Sequence, residues 1–493
     1  MIRCALLCLC LLATCLAAAG AEPPPKRVLK LTLETALQQA LAKNFSIQVN
    51  RFEPKIAAEG VRRELGRFDP VFDITARRTE DTRRDLFVDG IQLQKSSVSR
   101  LDNLSSGISG VTSWGTEYDV SYITTGQTGI RDIFAAPYDA AGKVTLTQPL
   151  LRDAGPAVNL AQVRIARVAV KISEWQLRKR IIDVMTETSF VYNQLQLSIE
   201  EMRVAERSRE LARQLLKDNQ ARVEIGVKSP LDVTEARAEV AAREEGVILA
   251  QRNVLDNENL LKQLVTTDMF TMLDTRVEIE APPSPRFVAD VRGGIADALA
   301  LRPDYRQALL ELDQKHIRVT LQKNHVLPRI DLTGSLALIG LDDSFSSSAS
   351  RISRRDQTAW TAGVIFSIPL GNREARGALS QAQLEAAKGL VGIEQLEQQI
   401  IVEVDNASGQ IVTSRERITS TREARRLARE SLDAGEERLR AGTGTTFVVL
   451  ELQKKLAEAE AAELRAVADY NKAVSEYQRQ TGTTLRDHHV VVE

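Results

Sequence analysis

Two periodicities divide the chain. Four short stretches alternate apolar with polar residues: Phe72, Ile74 and Ala76 against Asp73, Thr75 and Arg77; Val144 and Leu146 against Lys143, Thr145 and Thr147; Leu332, Leu336 and Leu338 against Asp331, Thr333, Ser335 and Ala337; Trp360, Ala362, Val364, Phe366 and Ile368 against Thr361, Gly363 and Ser367. Period two gives a strand one wet and one apolar face, and Pro149 and Pro369, which cannot donate to a ladder, predict strand ends. Helices over 33–65 and 295–324 are predicted ahead of the strands. Proline-free runs over 157–225 and 374–441 predict helices roughly 100 Å long at 1.5 Å per residue. Each stops at a glycine, Gly226 or Gly442, and shorter helices return over 231–264 and 447–480. Coiled-coil spacing runs along them: Val449, Leu452, Leu456, Ala459, Ala466, Tyr470, Ala473 and Tyr477, interrupted at Glu463, and Ile181, Val184, Val191, Leu195, Met202, Ala205, Ala212 and Leu216. A companion stripe, Ile182, Met185, Tyr192 and Ile199, predicts a second neighbour, as in a ring of helices. An ordinary antiparallel bundle is the alternative, and it has no use for the strands.

The landmarks occur twice in the same order. Ala40-Leu41-Ala42 returns as Ala298-Leu299-Ala300, and Pro70, Asp73 and Thr75 return as Pro328, Asp331 and Thr333. Pro149-Leu150 returns as Pro369-Leu370, and Arg222, Gly226, Val233 and Glu235 return as Arg438, Gly442, Val449 and Glu451. The expected organisation is a first repeat over 22–264 with strands within 70–150, a linker over 265–292, a second repeat over 293–484 with strands within 328–370, and a tail over 485–493. Between its prolines the first repeat is roughly twice as long as the second. There Tyr118, Val120 and Tyr122 alternate with Glu117, Asp119 and Ser121 after a Trp114-Gly115 turn signal, predicting at least one added strand.

Composition narrows the function. Residues 1–21 read as a secretory signal, with Arg3, an apolar core from Ala5 to Ala18, and Ala19-Gly20-Ala21 for cleavage. Cys4, Cys8, Cys10 and Cys15 all lie inside it, so cleavage there leaves no thiol. A lipid-bearing Cys15 after Leu12-Ala13-Thr14 is the open alternative. Beyond the signal no run approaches the ~20 apolar residues of a spanning helix, so any membrane crossing falls to strands. Aromatics at 4% and charged residues at 27% suit long helices better than several compact cores. The balance of 65 basic and 66 acidic residues argues against a nucleic-acid partner. No phosphate loop, His-Glu-x-x-His or nucleophile elbow is found, and His488 and His489 read as a solvated tail. The expectation is no enzyme: no catalytic residue, cofactor or metal site.

The most specific local signal is Arg222-Val-Glu-Ile-Gly226-Val-Lys-Ser229-Pro230-Leu231-Asp232-Val233. Gly226 stops one helix, Ser229 caps the next, Pro230 takes its first position and Asp232 completes a capping box. The second copy, Arg438-Leu-Arg-Ala-Gly442-Thr-Gly-Thr445-Thr446-Phe447, keeps the arginine, glycine and hydroxyl but lacks the proline and the acidic partner. Further features span the chain: Leu31-Thr32-Leu33-Glu34-x-Ala36-Leu37 with Ala40-Leu41 and Asn44, Thr147-Gln148-Pro149-Leu150-Leu151, Arg302-Pro303-Asp304, Tyr470-Asn471-Lys472-Ala473 and Thr481-Gly482-Thr483. Together and in order, these features resemble the TolC-like outer membrane efflux protein family.

The resemblance implies a mainly α fold with membrane β-strands. Duplicated antiparallel coiled-coil hairpins would form a periplasmic α-barrel, and a homotrimer would share one outer-membrane β-barrel. It also implies a channel-tunnel exporting small molecules or proteins, docked to a periplasmic membrane-fusion adaptor and an inner-membrane efflux pump or ABC exporter. Adaptor-docking tips fall on Arg222, Gly226, Ser229, Pro230, Leu231, Arg438, Gly442, Thr445 and Phe447. Periplasmic gate candidates fall on Asp232, Glu235 and Glu451. The family's other gate carboxylate falls on Val448, and the tyrosine and arginine of its link network fall on Leu439 and Gly444, so the resting closure is expected to differ. The alternatives are a periplasmic structural coiled coil without a pore and a lipid-anchored member of the same channel class.

Overall fold

The computed structural model describes residues 27–490 apart from 84–85, 89–90, 95–96, 129–136, 228, 281–286 and 356. The signal segment and Cys15 lie outside the described residues. The chain runs β1 (Arg27–Leu31), α1 (Leu33–Lys43), α2 (Phe45–Asn50), α3 (Glu53–Leu65), β2 (Val71–Arg83), β3 (Leu86–Val88), β4 (Ile91–Gln94), β5 (Ser97–Val111), β6 (Glu117–Thr128), β7 (Tyr138–Pro149), α4 (Pro156–Asn159), α5 (Ala161–Glu224) and α6 (Pro230–Val265). It continues with β8 (Thr275–Ile279), α7 (Val291–Leu301), α8 (Pro303–His325), β9 (Arg329–Asp342), α9 (Phe345–Arg354), β10 (Gln357–Ser367), α10 (Arg373–Arg440), α11 (Thr446–Thr481) and α12 (Thr484–Asp487). Two compact units result: one of residues up to Arg51, Gln176–Tyr305 and Leu396 onward, the other of Phe52–Trp175 and Arg306–Gln395.

The first unit is helical around three clusters. In the first, Leu37, Ile47, Ile181, Val184, Met185, Leu195, Leu261 and Val265 pack on Leu31 and Val277 of a parallel β1–β8 pair. Tyr192 is buried there and donates to the carbonyls of Leu31 (3.1 Å) and Glu280 (2.7 Å); burial pushes its pKa up to about 12. The second cluster gathers Ala298, Ile400, Val404, Ile411, Tyr470, Ala473, Val474 and Tyr477. The third lies at the hairpin ends and is described below.

The coiled-coil stripes are therefore core seams, and Glu463 is no gap in them. It is buried, with Arg422 at 3.3 Å and Arg425 at 3.0 Å. A second buried charge pair joins Lys262 to Glu258 at 3.0 Å, and Glu258 also accepts the Val277 amide at 2.8 Å.

Both opening helices differ from expectation. The one expected over 33–65 is broken into α1, α2 and α3, interrupted at Arg51 and Phe52 and, first, at Asn44, which takes an extended backbone. Its side chain accepts from the amides of Ser46 (2.9 Å) and Ile47 (3.4 Å), starting a new helix. The one expected over 295–324 is broken at Arg302, where Pro303 forces the preceding residue out of the helical region. Arg302 then bonds Asp304 and Glu403, each at 2.6 Å. Burial would raise the Asp304 carboxyl, but the Arg302 guanidinium prevails and holds it below its ordinary value. The C-terminal segment also departs from a solvated tail. Leu485 and Val490 pack on the first cluster, leaving His489 exposed but His488 half-buried, and burial lowers the His488 pKa.

The second unit carries one antiparallel sheet in the order β10-β9-β7-β6-β5-β2. Within the longer first repeat, β5 and β6 are the strands added to this sheet, and β3 and β4 pair with each other in a sheet of their own. Partners in an antiparallel ladder share a face, so the registers can be followed across the sheet. One rung joins Phe72, Ile108, Val120, Val144, Leu336 and Trp360, and all six are exposed. On the other face the adjoining rung joins Asp73, Gly107, Ser121, Lys143, Ala337 and Ala359. The alternation thus builds a sheet with one continuous apolar face and one polar face.

The β5–β6 turn requires Gly115. Its φ is +85°, and an added Cβ would stand 2.5 Å from the Asp153 carbonyl oxygen and 2.8 Å from Asn159 Nδ2. Gly155 has the same φ but open space. Gly155→Ala is expected to cost about 1 kcal/mol from backbone conformation alone, and Gly115→Ala clearly more, because backbone must also move. Denaturant midpoints of the two variants check this; equal losses contradict the close approach.

Candidate functional site: the paired helical turns

The last turn of α5 ends in Gly226 with φ +78°, its amide donating to the Val223 carbonyl at 2.9 Å while the Val227 amide reaches Arg222 at 2.8 Å. Such a left-handed stop satisfies helix-end carbonyls that would otherwise be orphaned. Ser229 then caps α6: its hydroxyl accepts from the Leu231 amide at 3.2 Å, the Asp232 carboxylate accepts from the Ser229 amide at 3.2 Å, and Pro230 occupies the first position. The second turn repeats this on different residues. Gly442 has φ +77°, the amides of Thr443 and Gly444 donate to the Arg438 carbonyl at 3.0 Å, and the Thr445 hydroxyl accepts from Val448 at 3.4 Å.

The structure brings the two turns together. Arg222 Nη1 donates to the Leu439 carbonyl at 3.2 Å. Asn219, 1% exposed, sends its amide to the Asp232 carbonyl at 3.4 Å and accepts from the Thr446 hydroxyl at 3.5 Å. Beneath them Leu215, Leu432, Leu439, Val449 and Leu456 form the third cluster. Leu439, where the family resemblance places a linking tyrosine, is thus a core residue. Asn219 was not singled out in the sequence, although it continues the stripe of Ala212 and Leu216 with a polar residue at a seam position.

Beyond this seam the apex is apolar and open. Ile225 is 74% exposed, Val227 69%, Leu231 63% and Phe447 67%. Of the gate candidates, Asp232 is engaged in its cap, Glu235 is exposed and Glu451 is half-buried. Among the described residues no group of three or more His, Cys, Asp or Glu side chains could hold a metal ion, and no helix is long and apolar enough to cross a membrane.

A family model described as outer membrane efflux protein matches residues 111–267 and 294–483, well over half of the chain. The chain belongs to the outer membrane efflux protein family. Two relatives from Pseudomonas putida, the toluene efflux pump outer membrane protein TtgC and the antibiotic efflux pump outer membrane protein ArpC, are each 24% identical over 241 residues. The match spans about half the length of those curated relatives, 48% of each chain. Among solved structures, the CmeC outer membrane channel of Campylobacter jejuni superposes with a TM-score of 0.69 at 16% identity, covering 91% of this chain and 85% of that one. The outer membrane protein VceC of Vibrio cholerae gives 0.66 at 14%, covering 91% and 96%. These likenesses establish the efflux-channel fold, mainly helical with long hairpins and a modest sheet.

Proposed function

We propose that this family member is the outer-membrane channel subunit of an export machine, its sheet joined with those of other copies into a membrane barrel and its paired turns docked on a periplasmic adaptor linked to an inner-membrane pump. The apolar face of the six-stranded sheet carries this reading. Spanning strands must leave no backbone unpaired in lipid, yet β2 and β10 each have only one neighbour among the described strands. Other copies can pair those edges and close the sheet. Three copies supply eighteen strands, a number at which a barrel leaves an aqueous passage, with the face of Asp73, Ser121 and Lys143 lining it. The open apex of Ile225, Val227, Leu231 and Phe447 supports the docking role. The relatives' named cargoes, toluene and antibiotics, support small organic molecules as cargo.

Disulfide trapping tests the closure. With cysteine fixed at Thr75 on β2 and scanned along β10, oxidation is expected to give covalent trimers at some register in outer-membrane fractions. Monomers at every register, or a soluble periplasmic protein, would defeat the reading.

A further inference from the structure

The apolar face is interrupted at one end by helix α9. Its rung of Ala76, Leu104, Thr124, Ala140 and Gly340 consists mostly of small residues, and α9 rests on the β7 and β9 end of it. Ile352 Cγ2 stands 3.8 Å from where a Cβ of Gly142 would be, and a Cβ at Gly340 would collide with the Ser348 carbonyl. Both glycines belong to the face of Val144, Leu336 and Trp360, as the registers require. The helix therefore lies on the apolar wall, not over the polar face. Ser344 caps its start, and Arg355 ends it in a left-handed conformation with φ +57°.

The next rung joins Arg78, Asp102, Gly126, Tyr138 and Asp342, and beyond it Glu80 meets Arg100. The pairs Arg78–Asp102 (2.6 Å) and Arg100–Glu80 (3.0 Å) are exposed. The apolar band ends where charge begins, and α9 sits at that boundary. Inward it presents Ser348 and Ile352; outward it exposes Phe345 at its start and then Ser346, Ser350, Ser353, Arg354 and Arg355, while Arg351 pairs with Asp342 at 2.7 Å. A serine and arginine surface with a single phenylalanine at one end is unsuited to the acyl-chain interior and suited to the headgroup region with its phosphates.

We propose that α9 is an interfacial helix on the outer wall of the barrel, held at headgroup depth, with Arg354 and Arg355 binding the phosphates of membrane lipid. The inference rests on the membrane-facing reading of the apolar face. Its test uses full-length trimers in vesicles of phosphatidylcholine, alone or mixed with phosphatidylglycerol, carrying a fluorophore on Phe345→Cys or, separately, on Val364→Cys. The Val364 label should be quenched by lipids brominated deep in the acyl chain, and the Phe345 label by lipids brominated near the headgroup. If Val364 is quenched by lipid while Phe345 responds only to aqueous iodide, the helix assignment fails and the channel reading survives. If Val364 is not quenched by lipid, the channel reading fails with it. Arg354→Gln combined with Arg355→Asn, which tolerates the left-handed cap, should lower the phosphatidylglycerol retained by the trimer about tenfold or more. Unchanged retention in an intact trimer overturns the phosphate role.

Discussion

Valine at Gly226 and Gly442 is expected to abolish export while trimers remain in the outer membrane. Both glycines have left-handed φ, +78° and +77°, and nothing lies within 4 Å of an added Cβ. The penalty is therefore confined to the backbone, about 1–2 kcal/mol at each site, and it falls beyond the seam of Leu215, Leu432, Leu439, Val449 and Leu456 that holds the hairpins together. What must change is the path of the chain through the apex, and with it the positions of Ile225, Val227, Leu231 and Phe447. A docking partner would lose its close approach, so adaptor cross-linking and export should fail together. Asparagine tolerates this conformation, so Gly226→Asn and Gly442→Asn should retain most activity. Normal cross-linking and export in the valine variants, at full trimer level, would reduce the apex to a pair of turns.

Lys262→Met is expected to be among the most damaging single changes in the helical unit. It removes the cation paired with Glu258 and leaves a buried carboxylate with the Val277 amide as donor and no compensating charge from Lys262. Losing one member of a buried pair costs about 3–5 kcal/mol. Glu258→Gln added to Lys262→Met should recover most of that, since glutamine keeps an acceptor for the Val277 amide and carries no charge. The thermal midpoint of the four proteins in a double-mutant cycle measures the coupling. A double variant no better than Lys262→Met alone would show that packing, not charge, dominates the site.

The turns were legible because their residues are punctuation: Gly226, Ser229, Pro230 and Asp232 each have one conformational use, and the structure places each in it. The strands were equally legible wherever alternation was strict, as from Trp360 to Phe366. The breaks at Asn44 and Arg302 were not, because apolar spacing continues through them and only a local cap or a following proline marks the stop. Helix α9 was missed although Phe345, Ala349 and Ile352 fall at helical spacing, because its ten residues are fewer than a helical period needs to be told from chance. Its position depends on the small residues Ala140 and Gly142, which are far away in sequence, as well as on the nearby Gly340. Glu463 read as a gap in a stripe because its partners, Arg422 and Arg425, lie on another helix.

The tie from Arg222 to Leu439 ends on a main-chain oxygen. A guanidinium that recognises a carbonyl is indifferent to the side chain it belongs to, so position 439 can drift among residues of suitable volume without severing the connection between the hairpins. Arg222 has no such freedom, because lysine would have to reach the same oxygen with a single charge point and without the planar fork. Sequence divergence should therefore accumulate on the accepting side of this latch and spare the donating side, allowing relatives to retune how firmly the apex is held while preserving how it is joined.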